Sequence, residues 1–97
     1  YNVEIFVLGE SKSRMAKLQD KRAHAIHVKR TIELNNADVI VDAIFGTGFS
    51  GKLGSEAKSV LQTLNKLDGY KIACDIPSGI RINGECDNNS FKADTTL

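Results

Sequence analysis

The sequence is poor in the features that mark several protein classes. It has two cysteines, one proline and no tryptophan in 97 residues. Two isolated cysteines provide neither a disulfide framework nor a metal-type pair, and reduced thiols are typical of cytosolic proteins. No apolar run approaches the roughly 18 residues of a membrane span, and no basic signal-peptide segment opens the chain. We therefore expect a cytoplasmic protein with no membrane association.

The charges are nearly balanced. Thirteen Lys and Arg residues against twelve Asp and Glu residues give a formal net charge of +1. A dedicated nucleic-acid binder usually has a basic excess or a basic stripe, so no nucleic-acid partner is expected. Hydrophobic residues at 41% and charged residues at 26% are typical of a globular domain rather than a disordered chain. Because Tyr1 leads directly into a strand-like segment, we expect residues 1–97 to be part of a larger domain.

The first third of the chain predicts a strand, a helix and a further strand. Residues 2–8 carry apolar side chains on both faces, as in a strand that is covered on both sides. A helix is predicted from an N-cap at Ser13 to about Ala23. Alternating apolar positions in residues 26–34 favour a short edge strand, with a continued helix as the competing interpretation.

The remaining residues predict an alternation of strands and helix. Residues 38–45 are β-branched and nearly continuously apolar, which predicts a central parallel strand. Ser55 is the predicted cap of an amphipathic helix to about Leu67. A strand at residues 71–75 follows, and another β-type run begins within residues 91–97. This order favours an α/β fold with a mostly parallel sheet.

Two segments with chemically useful side chains follow predicted strands. Ligands of such sheets bind outside the carboxyl ends of the strands. Residues 42–52 and residues 75–79 both fall at such ends, so we expect them to meet at one rim of the sheet. The candidate site therefore combines these two segments.

The first segment contains a glycine-rich loop, residues 46–52. Glycines allow positive φ and close approach of a ligand, and successive N–H groups can surround an anion. The spacing is neither that of a P-loop nor Gly-x-Gly-x-x-Gly. An anion-binding loop and a simple strand-to-helix turn are equally supported. The candidate residues are Gly46, Thr47, Gly48, Phe49, Ser50, Gly51 and Lys52.

Two aspartates mark the predicted rim. Asp42 lies in an otherwise apolar strand, where a carboxylate must be paired, hydrogen-bonded or bound to a cation. Asp75 ends the next predicted strand, and Ser78 adds a hydroxyl. These oxygen ligands suit a hard cation, and the absence of a His/Cys cluster argues against zinc. A carboxylate that caps nearby loop N–H groups remains the alternative for Asp42.

Two motifs together resemble a known family. VIVDAIFGTGFSG at residues 39–51 and DIPSG at residues 75–79, with a helix between them, are similar to the YjeF N-terminal domain family, the NAD(P)H-hydrate epimerases. Residues 3–9 resemble the strand in the middle of the family domain. Residues 91–96 resemble the segment that leads into its next strand. The resemblance thus spans nearly the whole chain.

The resemblance implies a fold, a reaction and a site. It implies a Rossmann-like three-layer α/β/α domain that interconverts the R and S epimers of hydrated NADH and NADPH, with a bound potassium ion. Asp42 and Ser78 match the potassium-associated positions, and residues 46–52 match the loop that contacts the substrate. Asp75 matches a substrate-binding carboxylate. We take Asp75, with Asp42 as a second participant, as the candidate catalytic residues, and the reverse assignment of the two aspartates stays open.

The resemblance also implies what lies outside the 97 residues. The family has an Asn-Asn-Gly-Gly-Asp-type motif upstream of residue 1, and its domain has a further strand. We therefore expect this partial domain to be inactive by itself. The family implies a fused or separate ADP- or ATP-dependent hydrate dehydratase as a partner, and the sequence leaves a homo-oligomer open.

Two other functions stay open at this point. Some members of the same family are non-catalytic binding or scaffold domains, which is the main alternative. A generic nucleotide-binding or phosphate-transfer domain is the second, and the absence of a P-loop lysine pattern disfavours it.

Overall fold

The chain has an α/β architecture with parallel strands. The computed structural model describes residues 1–9 and 13–97. These fall into two compact units, Tyr1–Leu34 and Asn35–Leu97. All three strand pairs within the described residues are parallel. The elements in chain order are β1 (Glu4–Ile5), α1 (Arg14–Ala25), β2 (Lys29–Arg30), β3 (Val39–Asp42), α2 (Ser55–Lys66), β4 (Tyr70–Ala73) and β5 (Thr95–Thr96).

None of the helices in the described ranges has the length and apolar character needed to cross a bilayer.

The Tyr1–Leu34 unit joins β1 and β2 through one helix. Glu4 pairs with Lys29 in this two-stranded parallel sheet. The side chain of Ser13 accepts a hydrogen bond from the backbone N–H of Ala16 at 3.0 Å, which confirms the predicted N-cap of α1. The Glu4 carboxylate accepts a hydrogen bond from the Lys29 ammonium and raises the pKa of Lys29. Because the pair is exposed, it contributes little to stability.

Both strands of this unit are shorter than the sequence indicates. The strand predicted at residues 2–8 is reduced to β1, and the predicted burial of both its faces is wrong, since Val3 and Val7 are exposed. In residues 26–34 only β2 forms. Ile26 caps the C-terminus of α1 and His27 has a φ of 60°, so a turn interrupts the apolar alternation. The competing helix is wrong as well, because α1 ends at Ala25.

The Asn35–Leu97 unit contains a three-stranded parallel sheet in the order β3-β4-β5. In its register Val39 pairs with Tyr70 and Asp42 pairs with Ala73. The strand predicted at residues 38–45 stops at Asp42 and lies at an edge of this sheet, so its predicted central place is wrong. The central strand is β4, which pairs on both sides.

The helix α2 supplies one side of the core of this unit. Its N-cap is Gly54, with no side-chain capping bond, so the predicted cap at Ser55 is wrong by one residue. The predicted helical spacing of apolar residues is confirmed, because Ala57, Leu61 and Leu64 are buried. The buried hydrophobic residues of the core are Ile40, Leu53, Ala57, Leu61, Leu64, Ala73 and Phe91.

The alternation along β3 decides which side chains face this core. Ile40 and Asp42 are buried, whereas Val39 and Val41 are exposed on the other face of the strand. Asp42 is therefore placed on the core side by the same period of two that buries Ile40. A carboxylate in that position needs partners from the loops beyond the strand.

We expect Leu61→Ala to destabilise the protein by about 2–5 kcal/mol, because it leaves a cavity in a well-packed core. Leu61 is 0% exposed, whereas Ile82 in the same unit is 78% exposed. Ile82→Ala removes an apolar side chain at the surface and is the control, with a change within about 0.5 kcal/mol. Denaturant unfolding measures both, and equal losses would contradict this assignment of the core.

Candidate functional site

The candidate site lies where β3 and β4 end. The two strands are parallel, so their carboxyl ends share one rim of the sheet. The ladder continues one step past β4, where the N–H of Cys74 donates to the carbonyl of Asp42 at 2.9 Å. Asp75 then takes a φ of 71°, which turns the chain out of the sheet. Residues 42–52 and residues 75–79 lie together at this rim, as expected, and are joined by hydrogen bonds.

Asp42 and Ser78 form a closed hydrogen-bond network in the interior, and each is only 1% exposed. The backbone N–H of Ser78 donates to Asp42 Oδ2 at 2.7 Å, and the Ser78 hydroxyl donates to Oδ1 at 2.6 Å. The N–H of Ile44 donates to Oδ1 at 3.1 Å, and the N–H of Phe45 donates to Ser78 Oγ at 3.0 Å. The buried carboxylate is thereby satisfied, and it ties the segments after both strands together.

Asp75 faces the start of the glycine loop, residues 46–52. Its Oδ2 accepts a hydrogen bond from the N–H of Thr47 at 2.8 Å. A Cβ at Gly46 would lie 2.9 Å from the same oxygen, so a larger residue there would displace the carboxylate. The positive φ of Asp75 is unusual for a residue other than glycine and marks a locally strained backbone, which often occurs at functional sites. Unlike Asp42, the Asp75 residue is exposed.

The rest of the glycine loop is open to solvent. Its first half is a turn, in which the N–H of Phe49 donates to the carbonyl of Gly46 at 3.1 Å. Thr47, Ser50 and Lys52 are exposed. Apart from Gly48 and its two chain neighbours, no heavy atom of residues 1–9 and 13–97 lies within 4 Å of the position that a Cβ would take at Gly48, so a ligand has room beside that backbone. Of the predicted loop residues, Lys52 lines an open groove together with Lys58, Arg81, Cys86, Asp87, Asn88 and Asn89.

Sequence reasoning missed the contacts of Arg81 with the glycine loop. Its guanidinium donates to the carbonyl of Gly51 and lies 5.9 Å from the centre of the Phe49 ring. The Phe49 ring in turn lies 4.6 Å from that of Phe45. No sequence pattern links positions 30 residues apart, and the sequence signal is limited to an arginine two residues after the DIPSG segment.

The residues at the rim fit a hard cation better than a transition metal. A carboxylate can accept about four hydrogen bonds, and Asp42 accepts three. One acceptor position of Asp42 is therefore left for a cation. No Lys or Arg side chain of the described residues forms a salt bridge with it. Within residues 1–9 and 13–97 no group of three His, Cys, Asp or Glu side chains could hold a metal. Asp42 and Ser78 instead offer oxygen atoms, the ligands that hard cations prefer.

We expect Ser78→Ala to lower the free energy of unfolding by about 1–3 kcal/mol, because it leaves the partly buried N–H of Phe45 without its acceptor. It also removes one donor to the Asp42 carboxylate. Ser59→Ala is the matched control, since Ser59 is exposed on α2 and should change stability by less than about 0.5 kcal/mol. Thermal or denaturant unfolding decides, and a neutral Ser78→Ala would argue against the network.

Curated proteins with similar sequences are named for one enzymatic activity. A bifunctional NAD(P)H-hydrate repair enzyme Nnr of Helicobacter pylori is 38% identical over 96% of this chain and 21% of its own length. The Nnr enzyme of Archaeoglobus fulgidus is 32% identical over 100% of the chain and 22% of its own length. An NAD(P)H-hydrate epimerase of Nitrosopumilus maritimus is 44% identical over 62% of the chain and 28% of its own length. The chain thus spans only about a fifth of the Nnr relatives.

The same motifs that build the rim carry the family assignment. The model of the family described as YjeF-related protein N-terminus matches residues 1–97, which is the whole chain. The match includes Asp42, residues 46–52 and the segment from Asp75 to Ser78, all of which the structure places at the ends of β3 and β4. The chain belongs to the family of YjeF-related protein N-termini.

Proposed function

We propose that this chain is part of an NAD(P)H-hydrate epimerase, which interconverts the R and S epimers of hydrated NADH and NADPH. One observation carries the proposal: two separate segments are bonded to each other at a single rim, through Asp42 with Ser78 and Asp75 with Thr47. The names of the relatives support the same reaction. A nucleotide can approach there because the glycine loop exposes its backbone.

The reaction needs acid and base chemistry at a ring carbon. The substrate carries a hydroxyl on the carbon beside the ring nitrogen, and inversion requires that hydroxyl to leave and water to return to the opposite face. A group must protonate the departing oxygen and then take a proton from the incoming water. The intermediate is an iminium-like cation, which a nearby carboxylate stabilises electrostatically.

Asp75 is the better placed of the two aspartates for this task. Its carboxylate is exposed and is fixed by the N–H of Thr47 against a loop with space for a ligand. Asp42 is enclosed and uses both carboxylate oxygens in bonds to residues 44 and 78. In the proposed mechanism, Asp75 therefore stands at the reacting ring. Asp42 holds the rim together and acts on the substrate only as a second participant.

A potassium ion belongs to the proposal through Asp42 and Ser78, which would hold it with their oxygen atoms. When bound, the ion supplies positive charge that offsets the buried carboxylate and the phosphates of the substrate. The residues themselves already connect residues 42–45 with Ser78. The proposed role of Asp42 and Ser78 is thus to present a cation-binding rim that is prearranged by hydrogen bonds.

The wider context of the protein also rests on the relatives. Those of Helicobacter pylori and Archaeoglobus fulgidus are named bifunctional repair enzymes. We propose that the complete protein likewise works with a fused or separate hydrate dehydratase that uses ADP or ATP, and that it does so in the cytoplasm. A non-catalytic scaffold would instead keep the fold and lose epimerisation, so activity of the complete protein separates the two.

In the full-length protein, we expect Asp75→Asn to lower kcat for epimerisation by about 100-fold or more, because it removes the proton-transferring carboxylate. Asparagine tolerates positive φ and its amide oxygen can still accept from Thr47, so the backbone should persist. The assay follows conversion of the isolated R epimer of NADPH hydrate. Asp68→Asn changes an exposed carboxylate before the start of β4 and should leave kcat unchanged. An unaltered rate in Asp75→Asn would reject the catalytic role.

We expect potassium to stabilise the full-length protein by about 1.4 kcal/mol at ten times its dissociation constant, relative to choline as the only cation. Thermal unfolding in matched potassium and choline chloride measures this difference. Asp42→Asn should abolish the difference because the site loses its negative charge, whereas Asp68→Asn should keep it. Equal stability of the unsubstituted protein in both salts would remove potassium from the proposal.

A further inference from the structure

Arg81 holds the half of the glycine loop that the rim residues do not reach. The first half is fixed by the bond from the N–H of Thr47 to Asp75 and by the turn between Gly46 and Phe49. Among the hydrogen bonds of the described residues, those that reach residues 50–52 all come from Arg81. The two ends of this substrate-facing loop therefore depend on different side chains.

The guanidinium makes a forked contact with one carbonyl. Arg81 Nε and Nη2 donate to the oxygen of Gly51 at 3.0 and 2.5 Å. The same group lies over the Phe49 ring, where a cation–π contact is favourable. In the part of the chain that the structure describes, the nearest carboxylate is that of Glu85, which is 4.0 Å away and 70% exposed, so it competes weakly for the guanidinium.

The base of the Arg81 side chain is itself rigidly placed. Its N–H donates to the carbonyl of Glu85 at 2.8 Å, and its carbonyl accepts from the N–H of Gly84 at 2.9 Å. Ile80 and Cys86 form a β-bridge across this turn. The Arg81 side chain is only 22% exposed. Because both its backbone and its guanidinium are hydrogen-bonded, Arg81 connects this turn with the glycine loop.

The loop needs such a contact because glycine residues restrict the backbone conformation only weakly. Gly51 has a φ of 84°, a conformation that glycine adopts readily but that it leaves as readily when nothing holds it. Ordering a glycine-rich segment at the moment of binding costs conformational entropy, and a loop ordered in advance avoids that cost. A contact that orders residues 49–51 beforehand should thus act mainly on substrate affinity.

We propose that Arg81 is a positioning residue, which anchors residues 49–51 through the Gly51 carbonyl and the Phe49 ring and so keeps the glycine loop in its substrate-binding conformation. The inference rests on the proposed epimerase function for its ligand. It assigns no chemical step to Arg81, because the guanidinium contacts the loop and not the carboxylate of Asp75.

The test is Arg81→Met in the full-length protein, with hydrogen exchange and steady-state kinetics as readouts. We expect the backbone amide of Phe49, which donates to the carbonyl of Gly46, to exchange roughly tenfold faster, and KM for the R epimer of NADPH hydrate to rise roughly tenfold. The kcat should stay within about twofold, in contrast to loss of the catalytic carboxylate. Arg81→Lys, which keeps a charge and one donor but not the fork, should recover part of both losses.

Lys92→Met is the matched control, because it removes an exposed cation from the same unit. It should alter neither loop exchange nor KM. Unchanged exchange of the Phe49 amide in Arg81→Met would overturn the proposal, and so would faster exchange with an unchanged KM or a rise spread evenly over residues 35–97. The exchange readout needs no epimerase activity. An unsubstituted protein that fails to epimerise would therefore refute the proposed function, whereas the exchange measurement would still show whether Arg81 orders the loop.

Discussion

The site depends on one buried interaction, the pairing of the Asp42 carboxylate with the backbone and side chain of Ser78. A carboxylate in a hydrophobic core is stable only when its oxygens are satisfied, and here two of the three donors belong to a residue 36 positions further along the chain. The same hydroxyl accepts the N–H of Phe45, so a single serine fixes the exits of two strands. The glycine loop begins directly after residues 42–45, which these hydrogen bonds hold against Ser78.

This arrangement divides the work between two aspartates. Asp42 is enclosed and its hydrogen bonds to residues 44 and 78 hold the rim together, whereas Asp75 is exposed on a strained backbone and accepts from the N–H of Thr47. The glycine at position 46 is part of the same division, because the space that a Cβ would fill is taken by Asp75 Oδ2. The two carboxylates have different environments although they lie at the carboxyl ends of neighbouring strands of one sheet. Different environments are what allow two identical groups to take different roles.

The sequence predicted the Asn35–Leu97 unit better than the Tyr1–Leu34 unit. Around α2, the periodicity was strong and the helix buries Ala57, Leu61 and Leu64 as expected. In residues 26–34, alternation of apolar residues suggested a strand, but the positive φ of His27 ends the helix in a turn and leaves Ile26 and Ile32 exposed. A pattern of period two describes side chains only where the backbone is extended, and a single turn residue removes that condition.

The sequence by itself determined which residues belong to the rim, because the motifs around Asp42 and Asp75 lie directly after apolar strands and carry the family assignment. Only the tertiary structure decided which partner each one takes: Ser78 for Asp42, the N–H of Thr47 for Asp75, and Arg81 for the far end of the loop. The physical reason is the separation of the interacting residues along the chain. Local spacing fixes strands, helices and their ends, whereas a hydrogen bond between residues some 30 positions apart forms only after packing has brought the loops together.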